Sequence, residues 1–188
     1  MTARRQRYIA AAGLIAAVAL MVSPAYLRAY LSTHPRASKQ IRARSRGAEF
    51  VTDSGVVLQQ TDSDCGAAAL STALQFFGVT KARSSLVTEL HTGPLGTTLS
   101  ELRHAAERAG VPAQSWRLRN SDVSIVPLPV IAWINRNHFV VIRRRIDSYR
   151  LEVDDPAIGR LIWPISSFVQ KWSGEALVFR PSWVPPAT

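Results

Sequence analysis

A single thiol, Cys65, stands in the stretch Leu58 to Gly78, where three polar residues suited to capping a helix, Asp62, Ser63 and Asp64, give way to an apolar run. Leu70, Ala73, Leu74 and Phe77 recur at helical spacing, which predicts a helix that opens at Cys65 and is ended by Gly78. At a helix N-terminus the unpaired N–H groups and the positive end of the dipole favour an anion, so a thiol there is more readily the nucleophilic thiolate. A lone cysteine among small residues is more often a buried hydrophobe. Two further features weigh against that reading. His138 follows Asn137 and opens the apolar run Phe139-Val140-Val141, and Asp154-Asp155 ends another run before Pro156-Ala157-Ile158-Gly159. A thiol, an imidazole and an acid in that chain order are the makings of a cysteine-protease site.

Gln59 with Asp64-Cys65-Gly66, then Asn137 to Val141, then Asp155 to Gly159, then Phe168 with Trp172-Ser173-Gly174, resemble peptidase family C39. These are papain-like cysteine proteases that cleave leader peptides after a double glycine, often as N-terminal domains of bacteriocin-exporting ABC transporters. The resemblance spans about Val57 to Phe179. It implies that Cys65 is the nucleophile, His138 its general base and Asp155 the group that orients the imidazole. Gln59, six positions before the cysteine, would supply a side-chain N–H to the oxyanion beside the backbone N–H of Cys65. Gln60 competes with Gln59, and Asp154 with Asp155; the family's acid directly precedes the proline, which favours Asp155.

The resemblance also implies a peptide or precursor-protein substrate, a channel that only glycines thread, and no metal or organic cofactor. The sequence contains no phosphate-binding Gly-x-x-x-x-Gly-Lys motif. ATP-driven export is therefore expected to come from a separate ABC exporter. Two other readings use the same residues: a non-catalytic C39-like module that holds peptides for export, and a thiol acyltransferase or amidase.

To bring these side chains together, the chain needs helices first and strands second. Ser84 to Leu90 predicts a short second helix. Thr98-x-x-Glu101 is a capping box for a third, with Leu99, Leu102, Ala106 and Ala109 on one face and Gly110 at its end. Beyond Gly110 the pattern turns to short β-branched and aromatic runs: 113–118, 130–134, 139–146, 149–153, 160–163 and 176–179, with a helical turn or two at 166–171 and a hairpin turn at Asp147-Ser148. This is an α+β layout, N-terminal helices packed on an antiparallel sheet, which is how a papain-like fold reads.

Charge is distributed unevenly. Of 23 basic residues nine fall at or before Arg46, where there are no acids; beyond it fourteen basic residues face thirteen acidic ones. The +10 formal charge is thus concentrated outside the predicted fold, and no nucleic-acid footprint is expected. Residues 1–7 are a basic N-terminus, and 8–27 are uncharged and long enough to span a bilayer. This segment reads as a single-pass membrane anchor, with a cleaved signal peptide and a secreted or periplasmic domain as the alternative. Basic residues flank both of its ends, so the side on which the domain lies stays open. Residues 28–50 read as a basic tether, 51–180 as the peptidase domain and 181–188 as a proline-rich tail. His34, His91 and His104 are expected to be solvated, and Arg143-Arg144-Arg145 to form a solvated strand edge rather than a binding patch, with attraction of an acidic leader peptide as the alternative; Trp133, Trp163 and Trp172 are expected to be core, with one of them lining the substrate cleft as the alternative.

Overall fold

The computed structural model describes residues 23–180 and 182–185, and the chain divides into two units, one ending at Ile41 and the other Arg42–Thr188. In the first, helix α1 (Pro24–Thr33) begins on Ser23, whose hydroxyl accepts the Tyr26 N–H at 3.1 Å. Helix α2 (Pro35–Ser45) runs across the division, and strand β1 (Glu49–Thr52) follows it. The stretch expected as a tether therefore carries two helices and the start of the sheet. Ala, Arg, Lys and Gln build α2 by propensity without an apolar stripe, and only Ala43 is buried along it. Of the expected membrane anchor, residues 8–22 lie outside the described residues and Pro24 to Leu27 belong to α1. Among the described residues no helix is long and apolar enough to cross a membrane.

The second unit continues with α3 (Cys65–Gln75), α4 (Arg83–Glu89) and α5 (Leu99–Arg108), then β2 (Gln114–Arg117), a 3-10 turn (Asn120–Ser124), β3 (Val130–Ile134), β4 (His138–Arg145), β5 (Arg150–Asp155), β6 (Gly159–Pro164), α6 (Ile165–Val169) and β7 (Trp172–Val178). The expected order of helices and strands is observed. All seven strands form one antiparallel sheet, in the order β1-β6-β5-β4-β3-β7-β2.

Alternation along the strands divides the core in two. From β4, Phe139 and Val141 meet the helices, whereas Val140 and Ile142 point to the other face; Ile131 and Leu177 join the first set, and Val130, Ala132, Ala176 and Val178 the second. On the helical side α3 is buried from Cys65 through Leu74. Leu70, Leu74 and Leu102 there are fully buried, and each contributes about 1.5–3 kcal/mol relative to exposure. The opposite side is filled by Trp163, Phe168 and Trp172 together with Ala43, Ala48 and Phe50 from the first residues of this unit. Helix α3 stops at Gln75, so Phe77 lies past its end, half-exposed and against the Phe179 ring at 5.3 Å.

The capping box at α5 is formed in full. The Glu101 carboxylate accepts the Thr98 N–H at 2.6 Å and the Thr97 hydroxyl at 2.9 Å, which fixes the loop before the helix. The arginine run on β4 is engaged internally: Arg143 pairs with Asp154, Arg144 with Glu152, and Arg145 donates to the Val123 and Val126 carbonyls. β4 lies between β5 and β3, so the run is not at an edge as expected; Arg144 is exposed, whereas Arg143 and Arg145 are half-buried.

Candidate active site

Cys65 is the first residue of α3 and is buried. Asp64 occupies the N-cap position, but its side chain does not cap the helix as the sequence suggests. Its carboxylate turns back to accept the N–H groups of Gln60 and Thr61, each at 3.1 Å, and pairs with the Arg83 guanidinium from α4. A buried carboxylate with three donors fixes the loop ahead of the thiol, and it leaves the first-turn N–H groups of α3 without a side-chain cap. Gly66 makes the next contact possible. A Cβ at that position would sit 2.3 Å from Thr97 Cγ2 and 3.2 Å from Phe139 Cδ2, so only glycine lets α3 approach both.

His138 opens β4 as the sequence suggests, and Asp155 closes β5. The imidazole Nε2 and Asp155 Oδ1 are 2.8 Å apart, with Asp155 fully buried and His138 nearly so. The Ala157 N–H donates to the same Oδ1 at 2.8 Å, and Arg46 pairs with Oδ2. Burial pushes the imidazole pKa down, but the Asp155 hydrogen bond, the Cys65 thiol and the charges of both outweigh it, and His138 is raised to about 9. Burial also works to raise the Asp155 carboxyl; His138, Arg46 and the Ala157 N–H reverse that and hold it below the ordinary range. With Nε2 committed to Asp155, Nδ1 is the nitrogen left for sulfur. Asp154 points to the opposite face of β5, onto Arg143 and Arg160 at 3.0 and 2.8 Å.

Gln59 is partly buried and Gln60 exposed. The Gln59 backbone N–H donates to the Pro156 carbonyl at 2.9 Å, which ties the loop before the thiol to the turn after Asp155. Its side-chain Nε2 donates to the Thr61 carbonyl at 2.9 Å, and its Oε1 is buried without a partner. An amide nitrogen carries two hydrogens, so one N–H holds the side chain in place and the second remains available. The structure thus gathers Cys65, His138 and Asp155, with Gln59 laced to the same turn.

A cavity of about 230 Å³ opens beside the sulfur, walled by Cys65, Leu95, Thr97, Trp133, Asn137 and Phe139 among others. Trp163 and Trp172 are core as expected, whereas Trp133 lines this cleft, tilted against Phe139 with ring centroids 4.3 Å apart. A second hollow of about 330 Å³ shares Leu95, Thr97, Trp133 and Phe139 and extends to Leu99 and Glu175. Sequence reasoning left open that one of the three tryptophans lines the cleft without marking Trp133, and it missed Arg46 as a partner of Asp155. No motif marked either; Arg46 lay in a stretch read by composition alone.

Residues 53–183 match the model of the Peptidase C39 family. An uncharacterized protein of Methanothermobacter marburgensis is 30% identical over 129 residues, covering 69% of this chain and 90% of that one. The probable functional amyloid protease FapD of Pseudomonas aeruginosa is 28% identical over 130 residues; the match takes in 63% of this chain and only 57% of that protein. Among solved structures, a double glycine motif protease from an AMS/PCAT transporter, in complex with the leader peptide, aligns with a TM-score of 0.64 at 25% identity, covering 68% of this chain and 91% of that one. The chain belongs to the Peptidase C39 family of cysteine peptidases.

Proposed function

We propose that this chain is an endopeptidase that cuts a leader or precursor peptide after Gly-Gly, with Cys65 as nucleophile, His138 as general base and acid, and Asp155 as the group that orients the imidazole. The observation that carries this reading is the buried 2.8 Å pair between His138 Nε2 and Asp155 Oδ1, set beside a thiol at the head of a helix and an open cleft. The imidazole is held above its ordinary pKa, so at neutral pH it carries the proton that the leaving amine needs.

The thiolate attacks the scissile carbonyl carbon, and the electron pair moves onto oxygen. The free N–H of the Gln59 amide and the backbone N–H of Cys65 receive that oxyanion. Collapse of the intermediate expels the amine, which takes its proton from His138, and leaves a thioester on Cys65. Water then gives one proton to His138 and its oxygen to the acyl carbon, which restores the thiolate and releases the carboxylic acid, whose proton passes to solvent. Asp155 stays ionised throughout and keeps Nε2 protonated, so that Nδ1 does the transfer.

Thr97, Trp133 and Phe139 narrow the cleft beside the sulfur, which suits residues without side chains before the cut, and the apolar hollow toward Leu99 suits the leader. An exporter would be a partner of the peptidase, and residues 8–27 would anchor the enzyme to a membrane. The test is mass spectrometry of peptides bearing Gly-Gly, Gly-Ala or Ala-Ala at one site, incubated with wild type and Cys65→Ala. Cutting after Gly-Gly alone, abolished in the variant and leaving a water-derived carboxylate, is expected; transfer to an added amine would instead identify an acyltransferase, and binding without cutting a peptide-holding module.

A further inference from the structure

Asp155 has two oxygens, and the reading above uses only one. Oδ1 serves His138 and the Ala157 N–H, while Oδ2 meets the Arg46 guanidinium. Asp155 is fully buried, so Oδ2 needs a donor, and in this structure a cation supplies it. Arg46 is about a quarter exposed and lies upstream of the stretch that matches the family.

Its placement is built into the backbone. Helix α2 ends one residue before Arg46, and the chain then turns through Gly47 at φ +79°, a left-handed conformation that favours glycine. The Ala48 N–H reaches back to the Ala43 carbonyl and the Gly47 N–H to that of Arg44, a paired closure of the helix end. Ala43, Ala48 and Phe50 on either side of the turn are buried in the sheet's second core, and β1 then pairs with β6, the neighbour of β5. The turn is therefore anchored on both flanks, and the guanidinium is presented from a fixed point.

We propose that Arg46 is a positioning residue for this peptidase, clamping the far oxygen of Asp155 so that the near oxygen stays aimed at His138. The proposal rests on Asp155 being the orienting acid. A carboxylate turns easily about its last bond when only one oxygen is held, and a guanidinium on the other oxygen removes that freedom. Against the burial that raises it, His138 foremost and this cation with it keep Asp155 ionised as pH falls. Because Arg46 is not among the cleft walls, its effect falls on turnover rather than on substrate binding.

The experiment compares wild type, Arg46→Met, Arg46→Lys and Cys65→Ala, all full length, in kcat and KM across pH on a cleaved Gly-Gly peptide, with the folded fraction of each measured by circular dichroism. Arg46→Met should lose about 10- to 100-fold in kcat, part of the roughly 10²–10⁴-fold that a positioned acid–base supplies, with KM unchanged. Its acid limb should move up in pH as the carboxyl protonates earlier. Arg46→Lys keeps the charge without the planar fork, so its acid limb should stay near that of wild type while kcat falls part of the way. If Cys65→Ala is inert but folded Arg46→Met keeps the wild-type kcat and acid limb, the clamp is refuted and the peptidase reading stands. Should Arg46→Met not fold, Arg46→Lys decides: a kcat equal to that of wild type refutes the clamp. Activity in Cys65→Ala would overturn both.

Discussion

Asp154 and Asp155 are adjacent on β5 and face opposite ways, Asp154 onto Arg143 and Arg160 and Asp155 onto His138 and Arg46. The two carboxylates are both fully buried, so removing either takes an acceptor away from the guanidinium groups packed on it. Only one of the two sits against the imidazole. Asp155→Ala is expected to lower kcat/KM by about 10²–10⁴-fold, since the ring then loses its orienting acceptor. Asp154→Ala is expected to cost about 3 kcal/mol of stability while its folded fraction turns over normally. Urea denaturation alongside active-site titration separates these effects, and equal kinetic loss in both variants would contradict the assignment.

The two neighbouring glutamines divide in the same manner. Gln59 is tethered through Thr61 and Pro156, whereas Gln60 is exposed and engages Asp64 through its backbone N–H. Gln59→Ala should reduce kcat by about 10²–10³-fold with KM little changed, the signature of a donor that acts in the transition state. Gln60→Ala should stay close to wild type. Steady-state kinetics on one peptide decides it; a rise in KM alone for Gln59→Ala would mean that the amide binds substrate without touching the oxyanion.

What the sequence made legible follows from how local each signal is. Cys65, His138 and Asp155 could be found because each sits at the end of a periodic run, where the break in pattern coincides with a change of structure. The Thr98 and Glu101 capping box is four residues long and was read in full. Asp64 was misjudged as a cap because its alternative partners, Arg83 and the Gln60 N–H, are fixed by tertiary packing and loop shape, which helix signals do not encode. Arg46 pairs with a residue more than a hundred positions away, and its surroundings lack apolar periodicity. Trp133 belongs to β3 and alternates as a core residue would; that its side of the strand opens on a cleft depends on where the Leu95 to Thr97 loop lies.

Gly66 offers a test of how closely helix and sheet must approach. Alanine there would bring Cβ to 2.3 Å from Thr97 Cγ2, and Thr97 is itself held by Glu101, so the conflict cannot be relieved by a simple rotation. Gly66→Ala should destabilise the fold by about 1–3 kcal/mol and lower activity beyond the loss of folded protein, because the cleft wall moves. Thr97→Ser deletes the offending methyl yet keeps the hydroxyl that bonds Glu101. In a double-mutant cycle the pair should therefore recover much of the loss. Additive effects would place the strain at Phe139 instead, which lies 3.2 Å from the same Cβ.

The pH dependence of stability follows from the two coupled groups, with opposite signs. His138 is raised in the folded state to about 9, so folding favours its protonated form. Its contribution is complete below its ordinary value near 6.5 and disappears as pH rises through about 9. Asp155 is lowered, so its contribution is present above its ordinary value of 3.8 and lost as pH falls through the folded value. Stability linked to this pair should accordingly form a plateau between about pH 3.8 and about pH 6.5 and decline from there as pH rises to about 9. His138→Gln retains hydrogen-bonding capacity without a titrating proton, so its urea midpoint should change less than that of wild type between about pH 7 and about pH 10. A wild type as stable at the higher pH as at the lower, relative to this variant, would mean that the folded imidazole is not held protonated.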